Sequence, residues 1–462
     1  MLEAAKGVGS LVDDSPDASP PTHDSDGRPT RTLPLTHLLR ISLYWLGIST
    51  VWSGILDIVN GRLQFTHLVP QGSEGLGAFQ IALIGTFIAI AVQPTVGTLS
   101  DYTITRWGRR KPYIFVGSVL DVVFLWGIAT SNSLAAVAAF VSLLQFSSNF
   151  AQGPFQGYVP DLVPAKQVGL ASGLIGLFAA LGNVVGYVVA AVAVWLSATD
   201  PNAFLYGTMA IGLVEFLTML SVVIHVDEGR RVKPRHGRSW LAIAMEAWND
   251  EVLHERSFLW LVASRFFILT GAAIYPIMST FYLAQSFGMD AAQTGETKLL
   301  LLAVVGVCVT IAVVPSSRLS DRVGRKKVIY ASCLIGAVGL GMGAAAPFLP
   351  IAFLGAAMFA VAAGAFLAVD WALISDIVPK GSTGRYMGIS NVATASAGTV
   401  ALAVGGAVVM DTVNRIFGYG SGLGPRAALV FGLICYIVGA ALLRPVVEKR
   451  REDDDGLVEA AS

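Results

Sequence analysis

The sequence predicts an all-α integral membrane protein: twelve transmembrane helices in two pseudo-symmetric six-helix bundles. Three observations carry this expectation. Of 462 residues, 54% are hydrophobic and 13% charged, against about 25% charged in soluble domains. The apolar residues gather into twelve runs, each near the roughly 20 residues a helix needs to cross a bilayer. A basic turn, running from Gly97-Thr98-Leu99-Ser100-Asp101 to Arg106-Trp107-Gly108-Arg109-Arg110-Lys111-Pro112, returns about 220 residues later as Leu319-Ser320-Asp321-Arg322-Val323-Gly324-Arg325-Lys326-Lys327. Both turns sit between apolar runs, so the chain reads as two copies of one membrane unit.

The elements follow in order. Residues 1–36 are polar and rich in Pro, Ser and Asp. They lack the basic start, apolar core and small-residue cleavage site of a secretion signal, and predict a disordered cytoplasmic tail. The first bundle, 37–226, holds spans near 38–60, 76–99, 113–131, 134–158, 167–197 and 203–226. Residues 227–256 form a cytoplasmic connector with Arg230, Arg231, Lys233, Arg235 and Arg238. From Trp240 to Glu251 it alternates apolar and charged residues at helical spacing, as a helix lying on a membrane surface does. The second bundle, 257–446, holds spans near 257–286, 296–316, 328–347, 349–373, 383–410 and 424–446, followed by a cytoplasmic tail, 447–462.

Basic residues crowd the loops after spans 2 and 8, the connector and the C-terminal tail, while loops 130–133 and 347–350 contain no Lys or Arg. The positive-inside rule then puts both termini in the cytoplasm of a multi-pass cell-membrane protein. The halves match at a second place: Asp161-Leu162-Val163-Pro164 and Asp376-Ile377-Val378-Pro379 lie 215 residues apart, with Gly173 and Gly388 each twelve residues past the Asp. A duplicated six-helix unit is a common transporter plan, with substrate held between the halves near the midplane.

Composition excludes other classes. Basic and acidic residues number 31 each, so nothing favours a nucleic-acid partner. Glycine, at 49 residues, exceeds the usual share of about 7%, as close helix packing in a bilayer favours. Cys308, Cys333 and Cys435 sit inside apolar runs and read as small apolar fillers, without metal spacing or a disulfide framework. The histidines form no H-E-x-x-H pair and no nucleotide-binding Gly-Lys-Ser/Thr loop is present. An enzyme is not expected, nor a metal or other cofactor beyond a coupling proton or sodium ion.

The two turns resemble the signature loops of the major facilitator superfamily, and the resemblance covers nearly the whole chain beyond the N-terminal tail. Four extra residues between Asp101 and Arg106 make the first turn similar to that of the plant sucrose transporters and the related glycoside–pentoside–hexuronide:cation symporters. Asn149-Phe150-Ala151-Gln152-Gly153-Pro154 resembles the Asn-x-x-Gln-Gly-Pro stretch of the sucrose-transporter branch. Two positions depart from that branch. Gln145 stands where it has an acid and Gln156 where it has an arginine, both implicated there in proton-coupled sugar uptake. Loss of both leaves no lone charge in the membrane.

The resemblance implies a major facilitator fold, alternating access and a monomer. It also implies a cytoplasmic gate of Gly97, Asp101, Arg106, Arg109, Arg110, Asp161, Asp321, Arg325 and Asp376. In it Asp101 would accept hydrogen bonds from the N-terminus of the eleventh span near Tyr386. Asp321 with Arg325 would do the same for the fifth span, although Ser317 replaces the expected glycine. The plainer alternative for these charges is a topology signal that meets lipid headgroups.

Polar residues inside spans need partners or a wet cavity, because a charge there costs roughly 2.5–3.5 kcal/mol. Asp121 lies about nine residues, or roughly 13 Å, into the third span, and Asp57 lies in the outer part of the first. Both are candidates for binding the coupling cation, the alternative being a structural pair with a neighbouring helix. Glu215 reads as facing an interhelical partner, and Asp370 as belonging with the gate. Arg40 and Arg265 read as snorkelling to the cytoplasmic surface. Gln145, Asn149, Gln152 and Gln156 recur at helical spacing and form one amide stripe. Amides donate and accept as sugar hydroxyls do, so the stripe is the candidate substrate site, with Trp52, Gln80 and Trp45 as companions. The alternatives are interhelical bonding for the amides and interface anchoring for the Trp residues. The expected activity is secondary active transport of a sugar, a glycoside or a similar polar solute, with lipids as the other partner. The competing reading is an exporter of amphipathic compounds.

Overall fold

A computed structural model describes residues 32–66, 68–103, 105–228, 256–377, 393–394 and 396–446. Its first half contains α1 (Leu35–Ser42) and α2 (Tyr44–Phe65), which together make the first span, then α3 (Glu74–Ser100), α4 (Lys111–Thr130), α5 (Leu134–Gln156), the short α6 (Tyr158–Leu162), α7 (Val168–Leu196) and α8 (Ala203–His225). The second half contains α9 (Arg256–Phe287), α10 (Ala291–Val323), α11 (Arg325–Ala345), α12 (Leu349–Ile377), a π-helix (Ala401–Met410) that runs on into α13 (Asp411–Phe417), and α14 (Leu423–Leu442). Among the described residues, 12 helices are long and apolar enough to cross a membrane. The chain is a multi-pass membrane protein, and large apolar side chains such as Trp126, Leu177, Ile311 and Leu334 cover its outer flanks.

The repeat read from two short motifs extends to the packing. In the first half α3 and α4 pack on α5, α8 packs on α2 and α4, and α7 packs on α2. In the second half the equivalent helices pair the same way: α10 and α11 on α12, α14 on α9 and α11, the π-helix on α9. Between halves α3 meets the π-helix and α7 meets α10, which are reciprocal contacts of one two-fold arrangement.

The two basic turns differ. The first is a true loop from Asp101 to Arg110, with Gly108 at φ 121° and an isolated bridge between Thr105 and Gly108. The second is barely a turn, because α10 stays helical through Asp321 to Val323 and breaks at Gly324, φ 97°. A single glycine in that region of backbone space reverses the chain without steric cost. The eleventh span also runs past its expected end at 410 to Phe417. Asp411 and Asn414 signal an end in sequence, yet both are buried against other helices. The connector from 229 to 255, the tails 1–31 and 447–462, and Tyr386 with its expected contact to Asp101 lie outside the described residues.

The basic turns mark one end of the bundle, here called the basic face. Near the opposite face the halves are tied together. The Asp411 carboxylate accepts from the Gly75 and Leu76 amides at 3.1 and 2.7 Å. It thereby caps the N-terminus of α3 from the other half, where unpaired amides and the helix dipole favour a negative charge. Asn60 donates to the Ile277 carbonyl at 2.9 Å, Gln285 to Gln64 at 2.9 Å, and Gln64 to the Tyr419 hydroxyl at 2.7 Å. Deeper in the same interface the Thr86 and Thr399 hydroxyls bond.

Candidate translocation and coupling site

Asp57, one candidate cation site, points from α2 into the interface between the halves. Its carboxylate takes an ion pair from Lys298 of α10, and both residues are 2% exposed. Thr280 of α9 completes the group, accepting from the Lys298 ammonium at 2.6 Å and donating to Asp57 at 3.2 Å. Lys298 was not singled out in the sequence, since it sits beside the predicted start of a span, where a lysine ordinarily reaches for headgroups. Depth was the available signal. Asp57 and Lys298 each lie about two turns from the opposite-face end of their helix, so a buried acid and a buried base share one level.

Asp121, the other candidate, does not face the interface. It lies where α2, α4, α5 and α8 converge inside the first half, and it is fully buried, as is Glu215 of α8. The two carboxyls face each other. Ser147 of α5 donates to Asp121. Tyr44 of α2 donates to Glu215 at 3.4 Å and lies 2.5 Å from the Ser118 hydroxyl.

The amide stripe on α5 spans several environments. Asn149 is buried and donates back to Gln145, at 2.7 Å to its carbonyl and 3.2 Å to its side chain. Gln145 lies over Gly85 of α3, where a Cβ would come within 3.2 Å of its amide nitrogen. Gln152 is half-buried and Gln156 exposed. Gln156 lines a cavity of about 140 Å³ with Trp45, Phe155, Tyr158 and Ser172. Trp52 is half-buried on α2 and Gln80 is exposed on α3; neither lines that cavity.

At the basic face Arg110 pairs with Asp101 at 2.8 Å and with Asp161 at 2.7 Å, and Arg109 pairs with Asp161. Glu228, just after α8, accepts from the Arg110 and Lys111 amides at 2.8 and 2.7 Å and from the Tyr158 hydroxyl. It caps α4, and a Cβ on Gly108 would overlap its carboxylate. Burial, then the Glu228 charge, push the Tyr158 phenol well above its ordinary range. Burial, then the Arg110 charge, lower the Arg109 guanidinium from its usual value. These bonds lie within the first half. Arg106 is exposed and stands apart from them. Gly97 faces Gly153 of α5, its expected close approach being made inside the half. Arg325 opens α11, half-buried, while the side chains of Asp321 and Asp376 lie outside the described residues. Glu228 and Tyr158 carried no motif that sequence reading could use.

Arg265 corrects one expectation. It does not snorkel: its Nε donates to both Asp370 oxygens, at 3.0 and 2.8 Å, and the pair is buried inside the second half. Asp370 therefore serves this pair. Arg40 is exposed on α1.

Comparison with known proteins follows the same lines. The profile described as Major Facilitator Superfamily matches residues 43–275 and again 261–461. The chain is 30% identical over 168 residues to the sucrose transport protein SUC4 of Arabidopsis thaliana, covering 32% of each. The match thus spans about a third of that relative's length. Among solved structures, a D-xylose-proton symporter aligns with TM-score 0.65 at 15% identity, over 90% of this chain and 98% of that one. A bacterial homolog of the human lysosomal transporter Spinster, in an inward-facing and unoccupied conformation, aligns with TM-score 0.66 at 13% identity, over 88% and 96%.

Proposed function

Because the chain belongs to the Major Facilitator Superfamily, a family of transporters and not of enzymes, we propose that it is a secondary active transporter. It carries a sugar, a glycoside or a similar polar solute by alternating access, driven by a proton or sodium gradient. The observation that carries this reading is the interface near the opposite face. There Asp57, Lys298, Asp411, Gln64 and Gln285 join the two bundles through polar side chains. Polar bonds between rigid bundles can part and re-form as the bundles rock. The basic turns support a reading in which both termini are cytoplasmic, in a protein of the cell membrane. The solute class is supported by the α5 amides and by the likeness to sucrose transport proteins.

The test is uptake of labelled sucrose and maltose into proteoliposomes, with a proton and then a sodium gradient imposed. Gradient-driven accumulation of either sugar is expected. Folded, inserted protein that accumulates neither sugar would overturn the disaccharide reading. Uptake of amphipathic compounds instead would support the exporter.

A further inference from the structure

We propose that Asp121 and Glu215 form a proton-binding site sealed inside the first half. Its role in coupling rests on the proposed transport activity; its chemistry does not. The argument begins with two orphaned atoms. Asp121 Oδ2 and Glu215 Oε2 are buried and find no N–H or O–H donor among the described residues. The other oxygen of each acid is served, Oδ1 by Ser147 and Oε1 by Tyr44. The two carboxyls face each other, and facing carboxyl groups with no cation between them stay together only when one carries a proton. The orphaned pair is therefore the place for a proton.

The surroundings favour one negative charge and oppose two. Glu215 from α8 and Tyr44 from α2 are the titratable groups that face Asp121, and α5 faces it with the Ser147 hydroxyl. Among the described residues no Lys, Arg or His bonds to either acid. Two carboxylates held together without a cation repel strongly at low dielectric. A single shared proton leaves one charge, which Ser147 and Tyr44 can stabilise, and Ser118 sits 2.5 Å behind Tyr44 to donate to it in turn. Loss of the proton would press α4 away from α8. Ser147 lies on α5 between Gln145 and Asn149, so that movement reaches the amide stripe directly. Asp57 is a different case, because Lys298 already neutralises it.

Infrared spectra of the purified protein in lipid nanodiscs at neutral pH test the pair without any solute. In Asp121→Asn and in Glu215→Gln the new amide donates an N–H to the remaining carboxylate, so no proton is needed. Each wild-type-minus-variant difference is then expected to contain one protonated-carboxyl C=O band that shifts on deuteration. Its absence from both differences would overturn the proposal, and so would a wild-type band that sodium removes. If either single variant fails to fold, the double variant, with two facing amides, provides the same difference. The coupling role is read in proteoliposomes. Proton-driven sucrose or maltose accumulation should be lost in the variants while equilibrium exchange continues. Full accumulation in the variants would overturn that role. If the wild type moves neither sugar, the transport reading fails while the infrared result still decides the proton site.

Discussion

Asp57 and Lys298, 241 positions apart, form a buried ion pair that joins the two halves of the molecule. Removing one partner of such a pair strands the other charge, at a cost of about 3–5 kcal/mol. Lys298→Met should therefore lower the unfolding temperature in detergent markedly. The double variant Asp57→Asn/Lys298→Met, which buries no lone charge, should recover much of that loss. Thermal scans of intrinsic fluorescence give the cycle, and equal losses in the single and double variants would contradict it.

The Thr86 and Thr399 hydroxyls bond across the halves, which puts their Cβ atoms within the reach of a disulfide. Oxidising Thr86→Cys/Thr399→Cys should cross-link the halves and stop transport, and a reductant should restore it. Cys333 and Cys435 are buried and Cys308 is half-buried, so in a Cys308→Ser background labelling before and after oxidation reports mainly the introduced pair. Failure to cross-link would mean that the two helices do not meet at this level.

Gly75 and Gly406 touch backbone to backbone between the halves, and a Cβ on Gly75 would overlap Gly406. Gly153 meets the Gln93 carbonyl inside the first half with the same lack of room. Identical substitutions should then act differently. Gly75→Ala should favour parting of the halves near the opposite face with little loss of stability. Gly153→Ala should separate α3 from α5 and destabilise by roughly 1–3 kcal/mol. Spin-label distances and unfolding temperatures distinguish the two effects.

Tyr419 lies in the loop between α13 and α14, where burial, followed by the nearby Glu74 charge, pushes its phenol up to about 12. Its folded value is raised above the unfolded 10.0. Its contribution is therefore complete below about pH 10 and fades as pH rises toward about 12. The late phase of the phenolate absorbance titration should be smaller by one tyrosine in Tyr419→Phe. Coincident early titration curves for wild type and variant would refute this.

Glu228 holds two amides at the start of α4. Hydrogen bonds to a charged group contribute about 1.5–3 kcal/mol each. Glu228→Ala should thus speed amide exchange at Arg110 and Lys111 by at least about tenfold, while α9 to α14 keep their protection. Unchanged exchange would mean that the Arg110–Asp101 and Arg110–Asp161 pairs suffice.

Hydropathy, the repeated basic turn and the matched Asp161 and Asp376 landmarks were enough to read twelve spans and a two-fold plan. A bilayer forces each backbone segment to satisfy its own hydrogen bonds, so span number and direction are written locally in apolar length and flanking charge. Asp57 and Asp121 were legible as costly charges for the same reason. Their partners were not. Lys298 reaches Asp57 from the other half, Glu215 reaches Asp121 from a helix not adjacent in sequence, and Asp411 caps a helix more than 300 residues away. Those pairings depend on helix rotation and depth, which tertiary packing decides. The same packing sent Arg265 to Asp370 instead of to the surface. It also gathered Arg109, Arg110, Asp101 and Asp161 into one charge cluster, with Glu228 as the cap that no motif announced.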